Sequence, residues 1–208
     1  VRRRRDGSTV LACNQSNITL FVLDAADAVQ KRFEFPGLKN VRLMRLTPAG
    51  TALFGANNAL CEASLADGSL KRNLVLSNAK HTYQLVTLPG GNGRVATGYG
   101  ASLVEVNAVG DPVRQWGGKP GPEGLGFNFF AGMQVLANGN LVACNWTGHK
   151  SEDSSKGVQL VEYNPAGDLV WKWQDAARAG TLHGVIILDG LDPALLHDEL
   201  GGALAPLR

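Results

Sequence analysis

Charge is scarce in this sequence. Only 18% of its 208 residues are charged, and aromatic residues make up 7%. The formal net charge of +2 rests on one run, Arg2-Arg3-Arg4-Arg5. A chain-wide polyanion-binding surface is therefore not indicated, and no nucleic-acid partner is expected. The arginine run lacks the interleaved aromatics that base stacking would need. No apolar run approaches the 18 residues of a membrane-spanning helix. The three cysteines, Cys13, Cys61 and Cys144, are odd in number and have no C-x-x-C spacing, so buried free thiols are expected. There is no phosphate-cradling G-x-x-x-x-G-K-[ST] loop, no G-x-S-x-G nucleophile turn and no H-E-x-x-H helix. Also missing are an initiator Met and a signal-peptide apolar segment before Val1. This suits a processed or truncated chain, from which any targeting segment would be missing.

Glycine, by contrast, is abundant, with 26 residues. Four of them open similar short apolar segments. These are Gly7 before Val10-Leu11-Ala12-Cys13, Gly50 before Ala52-Leu53-Phe54, Gly93 before Val95-Ala96-Thr97, and Gly139 before Leu141-Val142-Ala143-Cys144. They lie 43, 43 and 46 residues apart. A second anchor follows each glycine: a strand-like run ending in Asx, Pro or Gly. The runs end at Asp24-Ala25-Ala26-Asp27, at Ala66-Asp67-Gly68, at Asn107-Ala108-Val109-Gly110 and at Asn164-Pro165-Ala166-Gly167. These residue types supply tight-turn conformations, so each anchor reads as a hairpin.

A period of about 40–50 residues with several short strands per repeat is the signature of propeller blades. The expected fold is all-β, with about four four-stranded antiparallel β-propeller blades belonging to a larger ring of six to eight. Repeats fall near 1–40, 41–82, 83–130 and 131–190, followed by a C-terminal tail at 191–208. The fourth repeat gives strands A to D at 132–136, 141–145, 158–163 and 169–173. Other A strands are expected at 1–5, 41–46 and 83–88. A fifth, at 183–188, either completes the first blade or begins another. On this register Cys13 and Cys144 occupy equivalent places in strand B. A short helix is expected at 192–198, with Asp192 as N-cap and Pro193 in its first turn. Two longer connections, 116–128 and 146–157, are insertions of the kind that carry function on a rigid scaffold.

The fourth repeat, with Leu136-Ala137-Asn138-Gly139-Asn140 and later Gly167-Asp168-Leu169-Val170-Trp171, resembles blades of the PQQ-like and arylsulfotransferase-like propellers. Their repeats carry an "L-P-N-G-N" turn and a "G-x-x-x-W" spacing. Leu88-Pro89-Gly90-Gly91-Asn92-Gly93 is a degenerate copy of the first. The resemblance implies a bacterial, extracytoplasmic propeller, periplasmic or secreted. Asn164-Pro165-Ala166-Gly167 departs from the quinoprotein signature, and no residue maps onto a quinone site or a sulfotransferase histidine, so the resemblance assigns no cofactor.

Propeller sites are built from D–A and B–C loops at one mouth. Register places His81, Tyr83, Asn128 and His183 at D–A entries, and Tyr99, Trp146 and His149 at B–C exits. Rings interleaved with polar groups suit a small molecule, glycan or protein partner. The imidazoles could instead serve a loop-assembled enzyme of quinoprotein, sulfotransferase, glycan hydrolase or lyase type. No metal site is expected, and a binding module is the first reading.

Overall fold

The computed structural model describes residues 1–4, 6–88 and 90–188. Among the described residues, sixteen strands form four separate four-stranded antiparallel sheets, each built from four consecutive strands in order. The first contains β1 (Arg2–Arg3), β2 (Thr9–Asn14), β3 (Ile18–Leu23) and β4 (Val29–Phe35). The second contains β5 (Met44–Leu46), β6 (Thr51–Ala56), β7 (Ala59–Ser64) and β8 (Leu70–Val75). The third contains β9 (Gln84–Thr87), β10 (Gly93–Ala96), β11 (Ser102–Val106) and β12 (Pro112–Gly117). The fourth contains β13 (Phe129–Val135), β14 (Leu141–Trp146), β15 (Leu160–Tyr163) and β16 (Leu169–Trp173). The only helical pieces among the described residues are a 3-10 turn, Ser151–Ser155, and α1, Ala176–Ala179. The helix expected at 192–198 lies outside the described residues.

Local chemistry fixes these hairpins. In the C–D turns, Asn107 Oδ1 accepts from the amides of Val109, Gly110 and Asp111, and Asn164 Oδ1 accepts from Gly167 and Asp168. Such side-chain turns mimic a backbone turn and start the return strand in register. Strand C repeats a glutamate that ties down the A–B end of its blade. Glu62 accepts from Thr51, Glu105 from Asn92 and Arg94, and Glu162 from Asn140. The first blade has Val22 at this register position, so it lacks the tie.

The apolar core lies between the blades. One cluster joins the first two, through Val10, Ile18, Leu20, Phe54 and Cys61. A second joins the second and third through Leu60, Leu76, Leu85 and Val95. The largest joins the third and fourth around Leu103, Trp116, Phe130 and Tyr163. The 116–128 insertion contributes Leu125 and Phe127 to that cluster, so part of it is core. Close backbone approach locks this last seam. Gly98 and Phe130 exchange amide–carbonyl hydrogen bonds of 2.9 and 3.2 Å. A Cβ on Gly98 would stand 2.3 Å from the carbonyl oxygens of both Lys80 and His81, and its φ is +64°. Only glycine fits there without displacing backbone.

Three sequence expectations shift by small steps. The third A–B turn is closed by Gly91, whose amide donates to Leu88 as Gly139 donates to Leu136; Gly93 already belongs to strand B. The doubled glycine hid this offset. Cys13 and Cys144 are free, as expected. They are one residue out of register, however, because Thr9 pairs with Arg3 beside the first turn as Leu141 pairs with Val135 beside the fourth. A one-residue step reverses the face, so Ala12, not Cys13, matches Cys144. Finally, 183–188 forms no strand. β1 already supplies the first blade's inner strand, so this segment does not complete it. It runs beside β13 instead. Gly132 donates its amide to the His183 carbonyl at 2.9 Å, and the Gln134 side chain both donates to and accepts from the Ile187 backbone. Gln84 on β9 makes the same two-way clip onto Met133 of β13. The segment therefore lies beside β13 much as β13 lies beside β9, without a β-ladder.

Candidate ligand-binding site

A cavity of about 500 Å³ opens where the inner strands begin. Its walls come from all four blades and from the 183–188 segment. Phe129, at the start of β13, is buried and organises one wall. Its ring meets Tyr99 edge-on at 4.8 Å, and Tyr83 and Trp146 at 5.7 Å each. Edge-to-face contacts of this length are favourable and directional. The His183 ring runs nearly parallel to Trp146 (5.0 Å, 25°) and to Tyr83 (6.1 Å, 15°). His149 packs edge-on against Trp146 at 4.5 Å. The result is a continuous cluster of rings.

The opposite wall is aliphatic and cationic: Val41, Arg42, Leu43 and Met44 precede or begin β5, and Val1, Arg2 and Ala12 come from the first blade. The Arg42 amide is anchored on the Gly55 carbonyl, while its guanidinium donates to His81 Nδ1 at 2.9 Å. A guanidinium has only donors, so Nδ1 must accept and the His81 ring proton sits on Nε2. Burial, then the charges of Arg42 and Lys80, hold the His81 imidazole below its ordinary value of 6.5. His183 is lowered in the same direction by burial, then by Arg42 and His149. Burial also raises the Tyr83 hydroxyl.

Tyr83, Tyr99, Trp146, His149 and His183 line the cavity, as the blade register predicts. His81 stands just behind, edge-on to Tyr99 at 5.4 Å and bonded to Arg42. Asn128 does not line it. Its amide N–H donates to Asn145 Oδ1 and its Nδ2 donates to the Trp146 carbonyl, so it positions the Trp146 backbone. Sequence reasoning missed Arg42. Counting back from the A–B turn would have found it, because Arg42 precedes Thr47 by the same step as Tyr83 precedes Leu88. Among the described residues, no group of three His, Cys, Asp or Glu side chains could hold a metal ion.

No protein-family model matches the sequence, and no curated protein matches it. Solved structures do. A Bacteroides caccae protein of unknown function superposes with a TM-score of 0.66 at 25% identity, over 86% of this chain and 67% of that one. Virginiamycin B lyase from Staphylococcus aureus, a propeller protein, superposes with a TM-score of 0.55 at 11% identity, over 86% of this chain and 59% of the lyase. The chain is made of β-propeller blades. It spans about three fifths of the lyase's length, and that likeness is one of fold alone. No helix among the described residues is long and apolar enough to cross a membrane.

Proposed function

We propose that the mouth is a non-covalent binding site for a small ring-bearing ligand, and that the protein acts as a propeller binding module. One observation carries this: rings from two blades and from the 183–188 segment converge on one cavity of about 500 Å³. That size suits a small molecule, for which sites run about 300–1,000 Å³. Aromatic faces offer stacking area, and the imidazole and hydroxyl edges offer a few oriented polar groups. The reading takes the four blades as an arc of a larger ring. The partial coverage of the matched structures supports this, as does the 183–188 segment lying along the free side of β13.

An enzyme is the competing class. A histidine base needs an orienting acceptor, and no carboxylate is hydrogen-bonded to His81, His149 or His183 among the described residues. Binding is therefore preferred. The test is calorimetry with a panel of aromatic compounds and oligosaccharides. A hit should show one site per chain, quench tryptophan fluorescence through Trp146, and weaken at least tenfold in Tyr83→Ala and His183→Ala. One face of the His183 ring is covered by Trp146, but the residue as a whole is exposed, so its variant should melt close to the parent. Unchanged affinity in both variants would refute the mouth as the site.

A further inference from the structure

Among the described residues, the charged side chains lining the mouth are of one sign. Arg2 and Arg42 line the cavity, and no Asp or Glu does so among the described residues. Two more cations stand beside it: Lys80 Nζ and Lys119 Nζ lie 5.7 and 5.8 Å from the centre of the Tyr99 ring. Arg42, Lys80 and Lys119 form no salt bridge among the described residues. Elsewhere the chain pairs its cations readily, as in Arg3–Asp27 at 2.7 Å and Arg94–Glu105 at 3.1 Å. The whole chain carries only +2, so this excess is local.

Arg42 is the centre of it. One of its terminal nitrogens meets His81, a neutral acceptor that cannot cancel its charge. Its Nε is buried without a hydrogen-bond partner. A guanidinium offers five N–H donors in a fork that matches an oxyanion, and a buried unmade donor is costly. An oxyanion in the cavity, taken by the terminal nitrogen that His81 leaves free, would offset the unbalanced charge. The ring wall faces the same cavity.

We infer that the ligand of this site is a ring bearing a carboxylate or similar oxyanion, with the oxyanion at Arg42 and one face of the ring against the aromatic wall of the third and fourth blades. This rests on the binding reading above and names its ligand class. The positive neighbours that hold His81, His183 and Lys119 below their ordinary values, after burial, are the ones such an anion would offset. The ring can be the planar one of an aromatic acid or the puckered pyranose of a uronic acid, whose C–H face also packs on aromatic rings, and the two present the same charged group to Arg42.

The experiment compares each acid with its uncharged counterpart by calorimetry: 2-naphthoate against 2-naphthol, and trigalacturonate against its methyl ester. At least one acid should bind ten times or more tighter than its counterpart, and the pair that does so identifies the source. Arg42→Gln should bring acid and counterpart within about threefold of each other, and Arg42→Lys should restore part of the preference. Should Arg42→Gln fail to fold, the salt dependence of the parent protein serves. Raising salt should weaken the acid and leave the neutral probe unchanged, because screening acts only on the charged contact. Equal binding of acids and counterparts, or a preference that survives both Arg42→Gln and high salt, would overturn the anion assignment while leaving the ring site standing. Binding of neither kind of probe would overturn both readings. So would binding that Tyr83→Ala and His183→Ala leave intact.

Discussion

The third and fourth blades bring Tyr83, Tyr99, Phe129 and Trp146 to the mouth, whereas the first two bring aliphatic side chains, Arg2 and Arg42, and no aromatic ring. The same scaffold position serves both. Arg42 and Tyr83 stand at one register place, ahead of their A–B turns, and carry opposite chemistry. Backbone support differs too. β13 is seven residues long and buried throughout, while β1 is two residues, one of them exposed. The repeat thus sets where a side chain emerges, and side-chain identity sets what the place does. On the aromatic side the binding surface is also core, so stability and binding should change together there. On the cationic side they should separate.

Phe129→Ala tests this most severely. Phe129 is 3% exposed and touches three other rings, so its loss should cost about 3–5 kcal/mol in urea unfolding, with ligand affinity falling as well. A cost below about 1 kcal/mol would mean the aromatic wall is not core. Gly98→Ala comes next, at about 3 kcal/mol, because backbone oxygens of Lys80 and His81 stand in the way at a left-handed φ. Gly50→Ala is its control. Gly50 also has positive φ, at +74°, but open space around its Cβ position, so about 1 kcal/mol is expected. Arg42→Gln should cost less than about 1 kcal/mol, since the lost contact is one hydrogen bond to an imidazole.

What could be seen in the sequence followed from periodicity and turn chemistry. The turn glycines and Asx residues have strong local meaning, so four blades, strand D of the fourth and the mouth positions of Tyr83, Tyr99, Trp146, His149 and His183 were all legible. Offsets of one or two residues were not. At Gly90-Gly91-Asn92-Gly93, three glycines compete to close one turn, and only backbone hydrogen bonds decide among them. Asn128 read as a ligand contact because its chemistry suits either role; its actual partners are the Asn145 side chain and the Trp146 carbonyl, both distant in sequence. Counting back from its A–B turn places Arg42 at the mouth, but nothing in its own repeat marks it out. Its importance comes from the absence of a carboxylate nearby among the described residues, which is a property of four blades together.

The one-residue offset between Cys13 and Cys144 gives a smaller, sharper contrast between the first and fourth blades. Burial pushes the Cys144 thiol up to about 12 and the Cys61 thiol up to about 11, so little thiolate exists at pH 8. Cys13 is only partly covered. Iodoacetamide at pH 8 should therefore alkylate Cys13 first in the folded protein, with the other two reacting only as the protein unfolds, as peptide mass mapping would read. Early labelling of Cys144 would put the fourth blade's strand B in the wrong register.

The smallest effect expected is one of pH, and it joins the two sides of the mouth through His81. In the folded chain His81 protonates less readily than its ordinary value of 6.5 implies, because of burial first and then Arg42 and Lys80. His183 shifts the same way. The unfolded chain therefore binds more protons than the folded one as pH falls through 6.5 toward the lowered folded values. Stability is full above this window and declines within it on acidification. His81→Asn isolates one share of that decline. The backbone should accept the change, because His81 has φ +59° and Asn40, at the same register place in the preceding repeat, has φ +60°; asparagine tolerates this left-handed region well. The variant should match the parent within about 0.5 kcal/mol at pH 7.5 and lose less stability between pH 7 and 5. Imidazole proton NMR supplies the direct reading. His81 should titrate below 6.5 in the parent protein and move upward in Arg42→Gln, since removing the guanidinium removes its opposing charge. A His81 that titrates at or above 6.5 with Arg42 in place would separate the two side chains, and the cationic wall would then have no electrical hold on the ring behind Tyr99.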